Sequence, residues 1–409
     1  MTVRTPAPWT RVAVAMFAVG WGANQFSPML IVYRQALGLS PGEVAGLFAV
    51  YAAALIPGLL AGGPASDRFG RRAVVLPFAA LSPVATLLLV IGGHELALIT
   101  AGRALAGLCS GVVFGAATAW VQDLSRGNAL SARRAALALS AGFGLGPVTA
   151  ALLAQWAGDP LVVPYLPHLA IGAAALGVAR TAPGSRHTPR PAGPLTAGRW
   201  PPAALRTRQF WLTVAPPAPV VFGAVSLAIV VLPEEVTSAR TMSAGYAGLM
   251  TALAFAAGIG VQPAARRLAA RSPYAGVIAG LGAMLAGAAA SAAAVAAGSR
   301  LLAAAAAVFL GLAYGLCLVS GLSQAERLAG DHDRGAVVAC YYVLAYLGFA
   351  APYAVDGLTG ALGRPGTFAA LAGAAAALTA WMAVQAARAR PASRPSLSRT
   401  DGAYSRTST

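Results

Sequence analysis

The sequence predicts an all-α integral membrane protein whose twelve transmembrane helices form two pseudo-symmetric six-helix bundles. Three observations carry this. The 409 residues are 58% hydrophobic and only 10% charged, too few charges to cover a water-soluble domain of this size. Apolar runs of about 20 residues, enough to cross roughly 30 Å of hydrocarbon, recur along the chain. A proline-rich polar stretch interrupts them near the middle and leaves six runs on each side.

The runs occupy 11–33, 43–62, 73–92, 96–119, 135–156, 161–180, 210–232, 244–262, 273–297, 301–322, 337–355 and 366–387. They are too long for barrel strands, and a helix satisfies its own backbone hydrogen bonds in lipid. The first run is too long for a signal peptide, and Gly22, Ala23 and Asn24 lead on into more apolar sequence. Residues 181–209 hold six prolines (Pro183, Pro189, Pro191, Pro194, Pro201, Pro202) and lack helical periodicity, so a cytoplasmic linker is expected there. The expected units are a bundle over 1–180, the linker, a second bundle over 210–390 and a disordered, Ser/Arg/Pro-rich cytoplasmic tail over 391–409. Weak internal echoes favour a duplication. Pro28 and Pro233 are 205 positions apart, as are Pro147 and Pro352, and Leu39-Ser40-Pro41-Gly42 is echoed at Met242-Ser243-Ala244-Gly245, 203 positions on.

The net charge is +17 and lysine is absent. Such a charge could indicate a nucleic-acid partner, but its placement indicates topology. With both termini inside, most arginines fall on cytoplasmic segments, among them Arg68, Arg71, Arg72, Arg126, Arg133, Arg134, Arg266, Arg267, Arg271, Arg327 and Arg334. Only Arg34, Arg240, Arg300 and Arg364 fall outside. This is the positive-inside asymmetry. Cys109, Cys317 and Cys340 all lie in apolar runs and offer neither a disulfide framework nor metal spacing. Asp331-His332-Asp333 reads as a solvated loop rather than a metal site. No cofactor is implied, and a phosphate-cradling loop is impossible without its lysine. No run carries a His/Asp/Glu cluster, which disfavours an enzyme.

The segment Gly63-Pro64-Ala65-Ser66-Asp67-Arg68-Phe69-Gly70-Arg71-Arg72 lies between the second and third runs. Its pattern, Gly-x-x-x-Asp-Arg-x-Gly-Arg-Arg, resembles the signature loop of the major facilitator superfamily of secondary transporters. Gly63, Asp67, Arg68, Gly70, Arg71 and Arg72 occupy the six specified positions. Helix 2 is expected to end near Gly62 and Gly63. The resemblance implies that Asp67 acts as a conformational latch, reaching the start of helix 11 near Gly335 and Ala336. The second half keeps arginines in the corresponding loop, from Gln262 to Arg271, but has no acid there.

Arg103, Gly107 and Gly111 resemble the helix 4 motif of the same superfamily, where the arginine is linked to proton coupling. A buried arginine costs about 2.5–3.5 kcal/mol on insertion scales, so it faces a cavity or partner, or else snorkels to the surface. Gly142, Gly146 and Pro147 resemble the helix 5 motif associated with exporters, with Ala150 and Ala151 in place of its last two glycines. Generic small-residue packing is the alternative. Pro147 favours a bend.

Asn24 and Gln25, amides inside an apolar run, are expected to face the substrate cavity or another helix, and Tyr314, Tyr342 and Tyr346 to contact substrate or to pack between helices. Ser27, Ser320, Phe349 and Tyr353 accompany them. His168 reads as a packed histidine. All twelve acids lie in loops or near run ends, with Glu43, Asp123, Glu234 and Asp356 closest to the spans. The resemblance therefore implies proton-coupled efflux of a small lipophilic molecule by a monomer in a bacterial plasma membrane. Import or uniport of a small metabolite or sugar is the alternative.

Overall fold

The structure, a computed structural model, describes residues 7–125, 130–184, 201–236, 244–329 and 334–389. Among these residues every regular element is helical. Before the linker lie α1 (Pro8–Asn24), α2 (Phe26–Leu37), α3 (Pro41–Phe69), α4 (Arg71–Ile91), α5 (Leu96–Leu124), α6 (Leu130–Trp156) and α7 (Leu166–Arg180). After it lie α8 (Val220–Ser226), α9 (Leu232–Glu235), α10 (Ala244–Gly260), α11 (Gln262–Arg271), α12 (Ala275–Ala297), α13 (Arg300–Leu328), α14 (Arg334–Tyr346) and α15 (Ala351–Arg388).

Among the described residues, eight helical stretches are long and apolar enough to cross a membrane. Seven coincide with single predicted runs, and the eighth, Ala336–Arg388, covers the last two. Inside it Gly363, at φ 68°, turns the chain between them; a Cβ would strain that left-handed conformation. The other three predicted runs lie on broken helices. The first breaks at Gln25, because Pro28 cannot donate to the Asn24 carbonyl. The sixth begins with a 3-10 turn, Val163–Tyr165. The seventh carries π-helical turns at Phe210–Val214 and Leu227–Val231, and Pro216, Pro217 and Pro219 between them remove three backbone donors. Local capping follows ordinary rules: Ser40 and Glu43 form a reciprocal capping box at the start of α3, with the Ser40 N–H donating to Glu43 Oε2 at 2.8 Å.

One expectation is corrected. Helix 2 does not end at Gly62 and Gly63. Instead α3 continues through Pro64 to Phe69, where the Ser66 hydroxyl donates to the Gly63 carbonyl at 2.8 Å. Gly70 alone, at φ 94°, separates α3 from α4. The charged segment is therefore mostly a helical end with a one-residue reversal. Pro147 does not divide α6, which runs unbroken to Trp156.

Close packing within the two sets of helices repeats along the chain. A Cβ at Gly107 or Gly111 would overlap the Tyr51 and Leu55 carbonyls, so α5 lies backbone-to-backbone on α3. A Cβ at Gly311 or Gly315 would overlap the Ala254 and Gly258 carbonyls, placing α13 on α10 in the same way. Gly142 and Gly146 seat α6 on Phe17 and Trp21 of α1, while Gly348 seats the turn after α14 on Pro219 and Gly223 at α8. Corresponding positions lie 202 to 206 residues apart by their numbers.

Contacts between the two sets gather toward the end expected to face outward. Arg34 of α2 pairs with Glu234 of α9 at 2.8 Å. The Gly245 N–H of α10 donates to Gln155 Oε1 of α6 at 3.0 Å. Ala151 packs where a Gly248 side chain would otherwise sit. At the opposite end, polar contacts run within a set: Arg72 donates to the Arg180 carbonyl at 2.7 Å and Arg327 to the Ala269 carbonyl at 2.7 Å. Residues 185–200 of the expected linker and 391–409 of the expected tail lie outside the described residues.

Candidate functional site

The charged helical end at Asp67 is organised by Arg71. Its guanidinium pairs with Asp67 at 2.5 Å and with Asp123 of α5 at 3.5 Å, and donates to Ser66 Oγ at 2.5 Å. Arg68 stacks over Phe69 with its guanidinium carbon 5.2 Å from the ring centroid. These contacts tie α3 to α4 and α5. The partner implied for Asp67, near Gly335 and Ala336, lies on α14, whereas the ion pair seen for Asp67 among the described residues is to Arg71 in its own segment. Asp331, His332 and Asp333 lie outside the described residues, as do Arg126 and Arg240.

Arg103 is only 1% exposed, so it neither snorkels nor lines an open cavity here. Its Nε donates to the Leu47 carbonyl of α3 at 3.2 Å and its Nη1 to the Ala23 carbonyl of α1 at 3.4 Å. Its guanidinium carbon lies 4.3 Å from the Phe26 centroid and 4.4 Å from the Tyr51 centroid. Carbonyl dipoles and two π faces solvate the charge and tie α5 to α1, α2 and α3.

The two amides expected to face the substrate cavity or another helix are both engaged. Asn24 donates to the Phe143 carbonyl of α6 at 2.8 Å and accepts from the Ser27 hydroxyl at 2.8 Å. Gln25 donates to Thr86 Oγ1 of α4 at 3.0 Å, and Thr86 in turn lies 2.7 Å from His168 Nδ1 of α7. Because Thr86 accepts from Gln25, its own hydroxyl proton is free to donate to the imidazole. This chain runs inside the first set of helices. Ser320 faces α12, where it fills the space beside Gly276.

Tyr314, Tyr342 and Tyr346 do converge. Phe222 of α8 stacks on Tyr346 with centroids 4.4 Å apart and planes 10° apart, and lies 4.9 Å from Phe349. Tyr314 lies 6.1 Å from Phe222 and 5.7 Å from Phe255 of α10, and Tyr342 lies 6.4 Å from Tyr346. Two ring pairs carry the cluster across to the first set: Phe143 with Phe255 at 6.4 Å and Phe48 with Phe349 at 4.6 Å. The π turns of the seventh span and the 3-10 turn Leu347–Ala350 that follows α14 adjoin it, and π turns are often sited at functional positions. Sequence reasoning missed Phe143, Phe222 and Phe255 as partners, since a lone phenylalanine in an apolar run carries no periodic signal.

At the expected outer end, Glu235 pairs with Arg364 at 3.1 Å beside the Arg34–Glu234 pair. Burial pushes the Glu235 carboxyl up from its ordinary value, an effect that Arg364 offsets in part and Glu234 and Asp356 reinforce.

Closely packed apolar helices in two repeated sets, joined across a central aromatic cluster, define a secondary membrane transporter. A family model described as Major Facilitator Superfamily matches residues 12–226, just over half of the chain. The protein belongs to that superfamily. Solved structures agree in fold. A POT family transporter in complex with 5-aminolevulinic acid aligns with TM-score 0.76 at 13% identity, covering 95% of this chain and 98% of its own. A mutant form of the nucleoside transporter NupG aligns with TM-score 0.71 at 11% identity, covering 92% and 99%. No curated protein sequence matches the chain.

Proposed function

We propose that the protein exports a small lipophilic, drug-like molecule across a bacterial plasma membrane by alternating access, coupled to proton entry. The two halves, residues 1–180 and 210–390, rock about the aromatic cluster, with both termini in the cytoplasm and one chain sufficient for the cycle. The observation that carries this reading is the distribution of contacts between the two sets. They concentrate at the end holding Arg34, Glu234, Gln155 and Gly245, as expected of a carrier closed outward and poised to load from inside. Asp67, paired with Arg71 in this arrangement, is the latch for the opposite state. Proton coupling and the export direction rest on the family resemblance, through Arg103 and through Gly142, Gly146 and Pro147.

Uptake or uniport of a polar metabolite is the second reading. The replacement of the exporter motif's last glycines by Ala150 and Ala151 favours it, as do structural neighbours described as a nucleoside transporter and as a transporter holding 5-aminolevulinic acid. Reconstitution in liposomes with a trapped pH dye separates the two. Proton movement triggered by a lipophilic compound, and lost in Arg103→Ala, is the expected result. Labelled-compound flux without proton movement moves the function to uniport, and silence toward all compounds removes the transport reading.

A further inference from the structure

We propose that the aromatic cluster between the two sets of helices is a binding site for an uncharged, planar aromatic compound bearing a hydrogen-bond acceptor; this names the cargo class of the transporter read above and rests on that reading. Three observations converge. The first is the alignment of rings across the boundary between the sets, where Phe48 and Phe349 meet edge to face and Phe143 and Phe255 lie nearly parallel. Phe143 and Phe255 are inclined by only 16° with centroids 6.4 Å apart. Two stacking contacts of about 3.5 Å each need roughly 7 Å, so a small separation of the sets admits one further ring between them. Phe222 and Tyr346, inclined by 10° at 4.4 Å, form a second near-parallel pair within the second set. The rings thus offer parallel faces, which suit a flat guest better than a rounded one.

The second observation is the state of the phenol groups. Tyr341 nearby donates to the Cys317 carbonyl at 3.0 Å, the ordinary fate of a buried tyrosine. Among the described residues no hydrogen-bond partner is seen for the hydroxyls of Tyr314, Tyr342 and Tyr346, and their oxygens are not fully buried, unlike the unpaired hydroxyls of Tyr51 and Tyr165. A phenol that is neither paired nor fully buried keeps a proton to donate. Three such phenols gathered on one cluster suit a guest that accepts from them.

The third is charge. The cluster itself consists of phenylalanines and tyrosines, with the Glu326 carboxylate within electrostatic reach of Tyr342 at one edge. Asn24, at its edge, already donates to the Phe143 carbonyl. An ion placed between Phe143 and Phe255 would leave water to meet two apolar ring faces. The rival is a cation held by the π faces and by Glu326.

The full-length protein in lipid nanodiscs is tested with tritiated 7-methoxycoumarin, an uncharged aromatic carbonyl compound. Camphor, an uncharged saturated ketone, and N-methylquinolinium, an aromatic cation, serve as competitors. The expected result is saturable 7-methoxycoumarin binding at least tenfold tighter than either competitor, a difference of about 1.4 kcal/mol. Phe255→Leu, eluting as a single species like the parent, weakens it about tenfold. Tyr314→Phe weakens 7-methoxycoumarin but leaves naphthalene, which has no acceptor, unchanged. Equal or tighter binding of camphor or N-methylquinolinium overturns the proposal, as does absence of saturable 7-methoxycoumarin binding or indifference to both substitutions. Flux in liposomes is scored separately. Selective binding without flux of any compound keeps the ligand class and removes the transporter, whereas flux of the competitors without selective binding does the reverse.

Discussion

Arg103 brings a full charge into an apolar bundle and meets carbonyl oxygens and ring faces in place of a carboxylate. Its planar fork reaches two carbonyls while both ring faces remain covered, which a compact ammonium on a flexible stem does not reproduce. Arg103→Lys therefore keeps the charge yet loses about 1–3 kcal/mol of stability, read as a lower thermal midpoint in detergent. An unchanged midpoint counts against the tie between α5 and its neighbours. The glycines of the same motif act by size. Gly111→Leu forces α5 off the Leu55 carbonyl and Leu59 amide and costs upward of about 1–3 kcal/mol, whereas nothing lies within 4 Å of a Cβ at Gly63. Gly63→Ala thus raises the midpoint slightly, since alanine is the better helix former by about 0.5–1 kcal/mol. A midpoint lowered by Gly63→Ala would contradict the helical end seen there. Motif spacing made Arg103, Gly107 and Gly111 legible in the sequence. The carbonyl partners of Arg103 were not, because which backbone oxygen a guanidinium meets depends on helix rotation and crossing.

The helices themselves followed from hydropathy, because lipid selects for length and apolarity and little else. Their interruptions were harder to read. Pro28 accounts for the break at Gln25 from local sequence alone, whereas the seventh span is interrupted where three prolines lie beside Gly348, which packs against Pro219 and Gly223, a partnership of distant segments. The ends of α2 and α9 offer a test of how the sets are joined. Arg34→Glu alone and Glu234→Arg alone each weaken the contact, and the double exchange restores it, as measured by the distance between spin labels at Trp156 and Leu301. The partly exposed pair itself contributes only about 0.2–1 kcal/mol, so the single variants shift populations without unfolding the protein. Glu235 adds a dependence on pH. Its carboxyl is raised by burial in this arrangement, so this arrangement holds a proton more tightly than one in which Glu235 is solvated. Stability of the closed end is then gained as pH falls from neutral through the raised pKa toward the ordinary carboxylate range, and is lost as pH rises. Glu235→Gln is expected to flatten that dependence and to keep the labels close at neutral pH. A pH response identical to the parent's excludes Glu235 as its source.

For the molecule as a whole, a proton crossing about 100 mV supplies ~2.3 kcal/mol, enough for a concentration ratio of roughly fifty. The proposed cycle uses this to exchange the contacts at one end of the bundle for contacts at the other. Asp67 is 58% exposed and already paired with Arg71, so Asp67→Asn should leave the thermal midpoint within about 1 kcal/mol of the parent. It should nevertheless slow transport and increase the labelling of cysteines introduced at the cytoplasmic end. Unchanged transport and labelling would remove the latch from Asp67. The two-set organisation was legible from a proline-rich interruption and a few echoes near 205 residues. The backbone-to-backbone seats at Gly107, Gly111, Gly311 and Gly315 express the same repeat in three dimensions. In the proposed orientation, the bond between Arg34 and Glu234 also places part of the carrier's closure at the mercy of the medium outside. An attraction between partly exposed ions weakens as dissolved electrolyte shortens the Debye length, from about 30 Å at 0.01 M to 10 Å at 0.1 M. The tempo of opening would then follow the salinity in which the cell lives, with no ligand needed to carry the message.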